Sequence, residues 1–75
     1  MEEKIKAIIG DYLGLKAKEI RLDMGLIEEL NINSYDIMSI VANFEEEFNI
    51  EVPDKDVRCF EKVEDIVKYL NKKVS

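Results

Sequence analysis

Residues 35–48 carry the pattern that most limits how this chain can fold. Apolar side chains recur there at the i, i+3, i+4 spacing of an α-helix, at Ile37, Ile40, Val41, Phe44 and Phe48. Polar and acidic residues lie mainly elsewhere, which predicts an amphipathic helix whose apolar face belongs to a core. At 75 residues, the chain is expected to form a single small domain, 1–75. A domain of this size buries about 60% of the surface that its unfolded chain exposes.

Three further helices are predicted from the spacing of apolar residues and from residues that begin or end helices. The first covers residues 2–13 and stops before Gly14, a typical residue just past a helix end. Asp54 is expected to cap a short third helix near residues 55–59. The last helix covers about residues 62–73, and its apolar positions again follow the helical period.

The connection between the first two helices, residues 15–33, is long and weakly periodic. It contains too many apolar residues for a loose loop, so we expect it to pack on the core, with a helical turn near residues 26–30. Asn49 is expected to end the second helix, and Pro53 keeps the residues before it extended. No segment predicts a strand. The expected fold class is therefore all-α: a small four-helix bundle with a long first loop and a short third helix.

The excess negative charge is confined to one segment. The net charge is −6, and residues 33–56 hold seven acidic residues against one lysine, while acids and bases balance in the rest of the chain. An acidic surface repels nucleic acid and anionic lipid and attracts proteins with basic patches. The segment therefore predicts protein partners, with no nucleic acid and no membrane, unless it is only a solvated helix face that aids solubility.

Other function classes are limited by what the chain lacks. It has no histidine, the commonest general base and metal ligand, and we expect neither a catalytic residue nor a metal site. Its one cysteine, Cys59, excludes an intramolecular disulfide and is expected to be a small buried hydrophobic residue. No charge-poor apolar run reaches the length of a membrane span, and the acidic N-terminus has no signal-peptide pattern. We therefore expect a cytoplasmic protein.

Ser34 stands where the long loop meets the acidic helix. A serine at that place can cap the helix by accepting a hydrogen bond from a free backbone N–H. It can also carry a phosphate group, because a helix N-terminus presents free N–H donors and a partial positive charge. Spacing alone favours the cap.

The order of the segments resembles the acyl carrier protein family over nearly the whole chain. IIGDYLGL is similar to the end of the family's first helix, and residues 26–34 are similar to the loop that leads to its modified serine. SIVANFEEEFNIEVPDKD is similar to the family's acidic second helix and the extended exit after it. The apolar spacing of residues 60–70 is similar to that of the last helix.

The resemblance implies that Ser34 receives 4′-phosphopantetheine from coenzyme A and carries acyl groups as thioesters on that arm. The modification would come from a phosphopantetheinyl transferase, a holo-carrier synthase, because the chain supplies no base of its own. The chain would then be a monomeric, non-catalytic carrier in fatty acid biosynthesis and lipid metabolism. Its second helix would present the arm to acyl-transferring or condensing enzymes with basic patches. If the cargo is fatty, we expect it to lie between the helices, lined by Ile40, Val41, Phe44, Ile66 and Leu70.

The chain departs from the family at the motif itself. Asn33-Ser34-Tyr35 stands where the family usually has Asp-Ser-Leu. Asn33 keeps the shape of the family aspartate, which is thought to help position the transferase's metal, and loses its charge. Tyr35 is larger and has a polar tip, and these changes indicate a specialised carrier. The residues expected to face partners are Tyr35, Asp36, Met38, Ser39, Ala42, Glu45 and Glu46.

Two alternatives remain open at this point. A carrier of the same fold could hold aminoacyl, D-alanyl or polyketide groups, because partner enzymes choose the cargo. The chain could also be an unmodified acidic interaction module that has the fold and does not use the arm.

Overall fold

A computed structural model describes residues 2–74 of the chain. Within them it contains four α-helices, a 3₁₀ turn at Ala17–Glu19 and an isolated bridge between Gly25 and Lys62, but no strand. The expected four-helix architecture, with its long first loop and short third helix, is confirmed. None of the helices in the described part combines the length and the apolar character needed to cross a membrane. The helices are α1 (Glu2–Leu13), α2 (Ser34–Phe48), α3 (Asp54–Val57) and α4 (Val63–Val74).

The chain reverses tightly after α1. Gly14 has a φ of 75°, a left-handed conformation that glycine adopts without a steric penalty. The Leu15 N–H then donates to the Gly10 carbonyl at 2.8 Å, which brings the loop backbone against the helix. A Cβ atom at Gly10 would lie 2.6 Å from the Leu15 carbonyl oxygen, so this approach requires a glycine.

The long loop packs on the core, as expected. Ile20, Leu26 and Ile32 are each 1% exposed. The loop also bonds to the approach to α4, because the Leu26 N–H donates to the Glu61 carbonyl at 2.8 Å and the Val63 N–H donates to the Met24 carbonyl at 3.0 Å. The predicted helical turn is present only as turn conformation over residues 26–29.

Helix α2 supplies the centre of the core. Four of its five predicted inward side chains are buried, and Phe44 is among the largest fully buried residues. Phe48 is only half-buried, and its ring lies 6.4 Å from that of Phe44. Asn49 ends the helix in a left-handed conformation with a φ of 55°, as expected.

Two predictions near α3 are wrong. The capping position is Pro53, and Asp54 is the first helical residue, because the helix begins and ends earlier than predicted. Cys59 is exposed, because Val57 and Phe60 on either side of it supply the buried contacts. Its Sγ donates a weak hydrogen bond to the Lys55 carbonyl at 3.6 Å.

Candidate functional site

Asn33 caps α2. Its side-chain Oδ1 accepts from the Asp36 backbone N–H at 2.8 Å, and the Asp36 carboxylate accepts from the Asn33 N–H at 3.3 Å. This reciprocal pair satisfies two backbone donors that the helix start would otherwise leave free. The interpretation of Ser34 as the cap is therefore wrong, and the helix begins one residue earlier than predicted.

Ser34 occupies the first helical position and is exposed. Within residues 2–74 its hydroxyl makes no hydrogen bond. The oxygen is therefore free to react without breaking an internal contact. A negative group attached there would lie at the positive end of a 15-residue helix, beside backbone N–H groups of its first turn.

Asp36 joins the start of α2 to α1. In addition to its bond with Asn33, its carboxylate accepts a hydrogen bond from the Tyr12 hydroxyl at 2.9 Å. Asp36 is half-buried as a result. A residue that the sequence placed on the partner-facing surface thus holds the Ser34 turn against the first helix.

An open groove lies beside Ser34. Its volume is about 540 Å³, within the range of small-molecule sites. One wall comes from α2, and the other comes from the loop and from α3. Sequence reasoning did not single out the loop and α3 residues for this site, because the groove joins three segments that are far apart in the chain. We call it the serine groove, and its lining residues are Ile27, Ser34, Ile37, Met38, Asp54, Val57, Arg58 and Phe60.

The side chains predicted to line a cargo cavity lie elsewhere, in the closed core. Ile40, Val41, Phe44, Ile66 and Leu70 are each at most 3% exposed. The void that Ile40, Val41 and Ile66 help to line measures about 10 Å³, which is at the lower limit for one water molecule. The accessible space next to Ser34 is the serine groove, and its lining includes none of these five residues.

The outer face of α2 is partly apolar near Ser34. Tyr35 is 82% exposed and Met38 is 45% exposed. Farther along, Ala42 and Glu46 are exposed, whereas Ser39 is half-buried. These five residues form a continuous accessible strip that begins next to the serine.

Two of the three consecutive glutamates in α2 have partners inside the protein. Glu45 is half-buried, and its carboxylate accepts from the Val52 backbone N–H at 2.8 Å. Glu47 forms an ion pair with Lys4 of α1 at 3.3 Å. Glu46 lies between them and is exposed. The unfavourable position of these acids near the negative end of the helix dipole is thus offset for Glu45 and Glu47 by tertiary contacts.

Similarity to known proteins identifies the family of the chain. A family model described as the phosphopantetheine attachment site matches residues 3–70. An acyl carrier protein from Akkermansia muciniphila is 40% identical over 72 residues, which cover 96% of this chain and 90% of that relative. The chain belongs to the acyl carrier protein family. An acyl carrier protein from Clostridium acetobutylicum is 41% identical over 68 residues, which cover 91% of this chain and 88% of the relative.

A solved structure supports the same assignment at the level of fold. It is that of a Mycobacterium tuberculosis protein assigned as an acyl carrier protein, and it matches with a TM-score of 0.90 at 25% identity over 96% of each chain. The resemblance inferred from the sequence is therefore confirmed.

Family membership also defines the cofactor. Carriers of this family hold 4′-phosphopantetheine covalently, which confirms the cofactor expected from the sequence. They carry acyl groups and do not catalyse their conversion, and they work with phosphopantetheinyl transferases and acyl-handling enzymes.

Proposed function

We propose that Ser34 is the attachment point of the phosphopantetheine arm. The observation that carries this proposal is the exposed hydroxyl, which has no hydrogen-bond partner within residues 2–74 because Asn33 does the capping. A serine that capped the helix would lose a stabilising contact on modification, at a cost of about 1 kcal/mol. Ser34 loses no such contact.

The chemistry needs only an accessible nucleophile from this chain. The bond from Ser34 Oγ to phosphorus forms as a P–O bond in the pyrophosphate of coenzyme A breaks; adenosine 3′,5′-bisphosphate leaves with that bond's electron pair, and the hydroxyl proton passes to a base of the transferase. The product is a phosphodiester with one negative charge. Helix α2 stabilises that charge through its dipole, and Asn33, being neutral, adds no like charge beside it.

The accessible strip of α2 is the proposed docking surface for partner enzymes. Tyr35 and Met38 offer apolar contact area next to the arm, and Glu46 offers a free carboxylate to a basic patch. Ser39 and Ala42 lie between them. We assign Asp36 and Glu45 a smaller part in docking than their position in the sequence suggests, because internal hydrogen bonds occupy their carboxylates.

We propose that the cargo is a fatty acyl thioester, as in fatty acid biosynthesis. The apolar lining of the serine groove, with Ile27, Val57 and Phe60 opposite α2, supports an apolar cargo in preference to an aminoacyl group. The family match and its cofactor argue against the unmodified interaction module.

An intact-mass measurement tests the attachment directly. The purified protein is incubated with coenzyme A and a phosphopantetheinyl transferase of broad specificity. The wild type is expected to gain one phosphopantetheine, and Ser34→Ala none. Ser39→Ala is the matched control, because it removes a half-buried serine from the same helix and should still load. Loading of Ser34→Ala, or an unmodified wild type with both this transferase and one from the source organism, would contradict the proposal.

A further inference from the structure

Among the described residues that line the serine groove, Arg58 is the one cation. It follows the last residue of α3 and is exposed. Within residues 2–74 its guanidinium makes no hydrogen bond or ion pair. Asp54 lies one turn earlier and lines the same groove, yet the two charges do not approach within 4.0 Å.

Other cations in the same protein do form pairs. Lys4 binds Glu47, Lys6 binds Glu2 and Lys68 binds Glu64, with separations of 3.3, 3.1 and 3.7 Å. Within residues 2–74, four of the eleven bases form an ion pair: these three and Arg21. Arg58 differs from the other bases without an ion pair in its position, at the edge of a groove whose other wall contains Ser34.

A guanidinium is suited to bind a phosphate oxygen pair, because its planar donors match that geometry. We propose that Arg58 binds the phosphodiester of the phosphopantetheine arm across the serine groove and so positions the first part of the arm. This inference rests on the attachment proposed for Ser34. Arg58 is a positioning residue in this arrangement and takes no part in chemistry.

The phosphodiester is a better ligand for Arg58 than an anionic cargo would be. One bond holds the phosphorus to Ser34 Oγ, so the charge stays beside the groove whatever the arm carries. A carboxylate on the cargo would lie at the far end of a flexible arm, and ordering that arm costs conformational entropy. Asp54, on the same wall, repels an anion and favours the Arg58 side of the groove.

The test is a thermodynamic cycle that compares loading with removal of the charge. Urea unfolding is measured for the unloaded and loaded forms of the wild type, Arg58→Gln and Lys62→Gln. Lys62 is a matched control, because it is an exposed cation near Arg58 that does not line the serine groove. Loading should lower the unfolding equilibrium constant of the wild type by about two- to fivefold more than it lowers that of Arg58→Gln. This is the range for an exposed ion pair. Lys62→Gln should behave as the wild type does.

A second measurement reports the contact itself. The Arg58 Nε–H resonance should shift on loading of the wild type, and high salt should reduce the shift because it screens exposed charges. Arg58→Lys should retain part of the coupling, since it keeps the charge and loses the planar donors.

The outcomes separate this inference from the proposed function. If intact mass shows that the wild type does not load, the attachment at Ser34 and this inference fail together. If it loads, but the cycle with Arg58→Gln shows no coupling and the Arg58 Nε–H resonance of the wild type does not shift, only the role of Arg58 is overturned. The role of Arg58 would also be overturned if coupling appeared only when the arm carries a succinyl group, and not when it carries a butyryl group or a free thiol. Arg58 would then bind the carboxylate of the cargo.

Discussion

Two grooves of similar size flank α2 and differ in what forms their walls. One lies between α1 and α2 and has a volume of about 600 Å³, against about 540 Å³ for the serine groove. We call the first the acidic groove. Its lining residues are Ile8, Asp11, Tyr12, Asn43, Glu46 and Glu47.

Part of the difference follows from the segment on the far side of each groove. Across the acidic groove stands α1, a regular helix of 12 residues that presents a polar stripe to solvent and joins α2 through the Lys4–Glu47 pair. Across the serine groove stand the long loop, the four-residue helix α3 and the residues just after it, and their apolar lining residues are Ile27, Val57 and Phe60. Irregular segments placed on a rigid scaffold commonly form functional sites. Here they supply apolar side chains to the serine groove, whereas three carboxylates line the acidic groove: Asp11 from α1, and Glu46 and Glu47 from α2.

Stability should be more sensitive to substitution at the backbone contact behind α1 than to substitution in the long loop. Gly10→Ala places a Cβ 2.6 Å from the Leu15 carbonyl oxygen, so the backbone must shift. We expect a loss of about 1–3 kcal/mol in the free energy of unfolding, despite the better helix propensity of alanine. Gly25→Ala, on the loop side, meets the Glu28 Cβ at 3.5 Å, an ordinary contact, and should change stability by less than about 0.5 kcal/mol. Urea unfolding measures both, and equal losses would contradict the difference.

A second prediction compares two neighbouring glutamates, one for each groove. Glu45 binds the Val52 N–H in the segment that leads to α3, whereas Glu46 lines the acidic groove and is exposed. Glu45→Ala leaves the Val52 N–H without its partner, so we expect a loss of about 1–2 kcal/mol in the free energy of unfolding. Glu46→Ala should stay within about 0.5 kcal/mol. Urea midpoints compare the two variants, and a larger loss for Glu46→Ala would show that the exit segment does not depend on the Glu45 contact.

The long, regular helices could be predicted from the sequence more fully than the short and irregular segments. Apolar periodicity placed α2 within one residue, because 15 residues contain about four turns of signal. Gly14 and Asn49 marked helix ends through their tolerance of positive φ. In α3, four residues contain about one turn, which is too short to assign a face. Cys59, just past this helix, was expected to be buried because free cysteine usually is, and it is exposed.

The choice of cap shows the same limit at the site. Asn33 and Ser34 are adjacent and both are preferred caps, so residue type could not distinguish them. Asp36, three residues after Asn33, could have indicated Asn33 as the cap. The two residues form the reciprocal hydrogen bonds of a capping box. The serine groove had no comparable signal, since its walls come from three separate segments.

The attachment of α3, which helps to form one wall of the serine groove, to α4 should weaken at high pH. The Tyr69 hydroxyl of α4 donates to the Asp56 carboxylate of α3 at 2.6 Å. Partial burial, followed by this hydrogen bond and the charge of Asp56, raises the pKa of Tyr69 from 10.0 to about 12. The folded protein thus holds the phenolic proton more tightly than the unfolded chain does.

The sign of the pH effect follows by linkage. The contribution of Tyr69 to stability is fully present below about pH 10, and it is lost as the pH rises from about 10 to about 12, where the unfolded chain binds fewer protons than the folded protein. The stability difference between wild type and Tyr69→Phe should therefore be constant from pH 7 to 9 and change above pH 10, in the direction that weakens the wild type. Urea unfolding of the two proteins at matched pH isolates this residue, because the titration of lysines and of the other tyrosines is common to both. A difference that stays constant through pH 11.5 would mean that the bond to Asp56 does not hold α3 against α4.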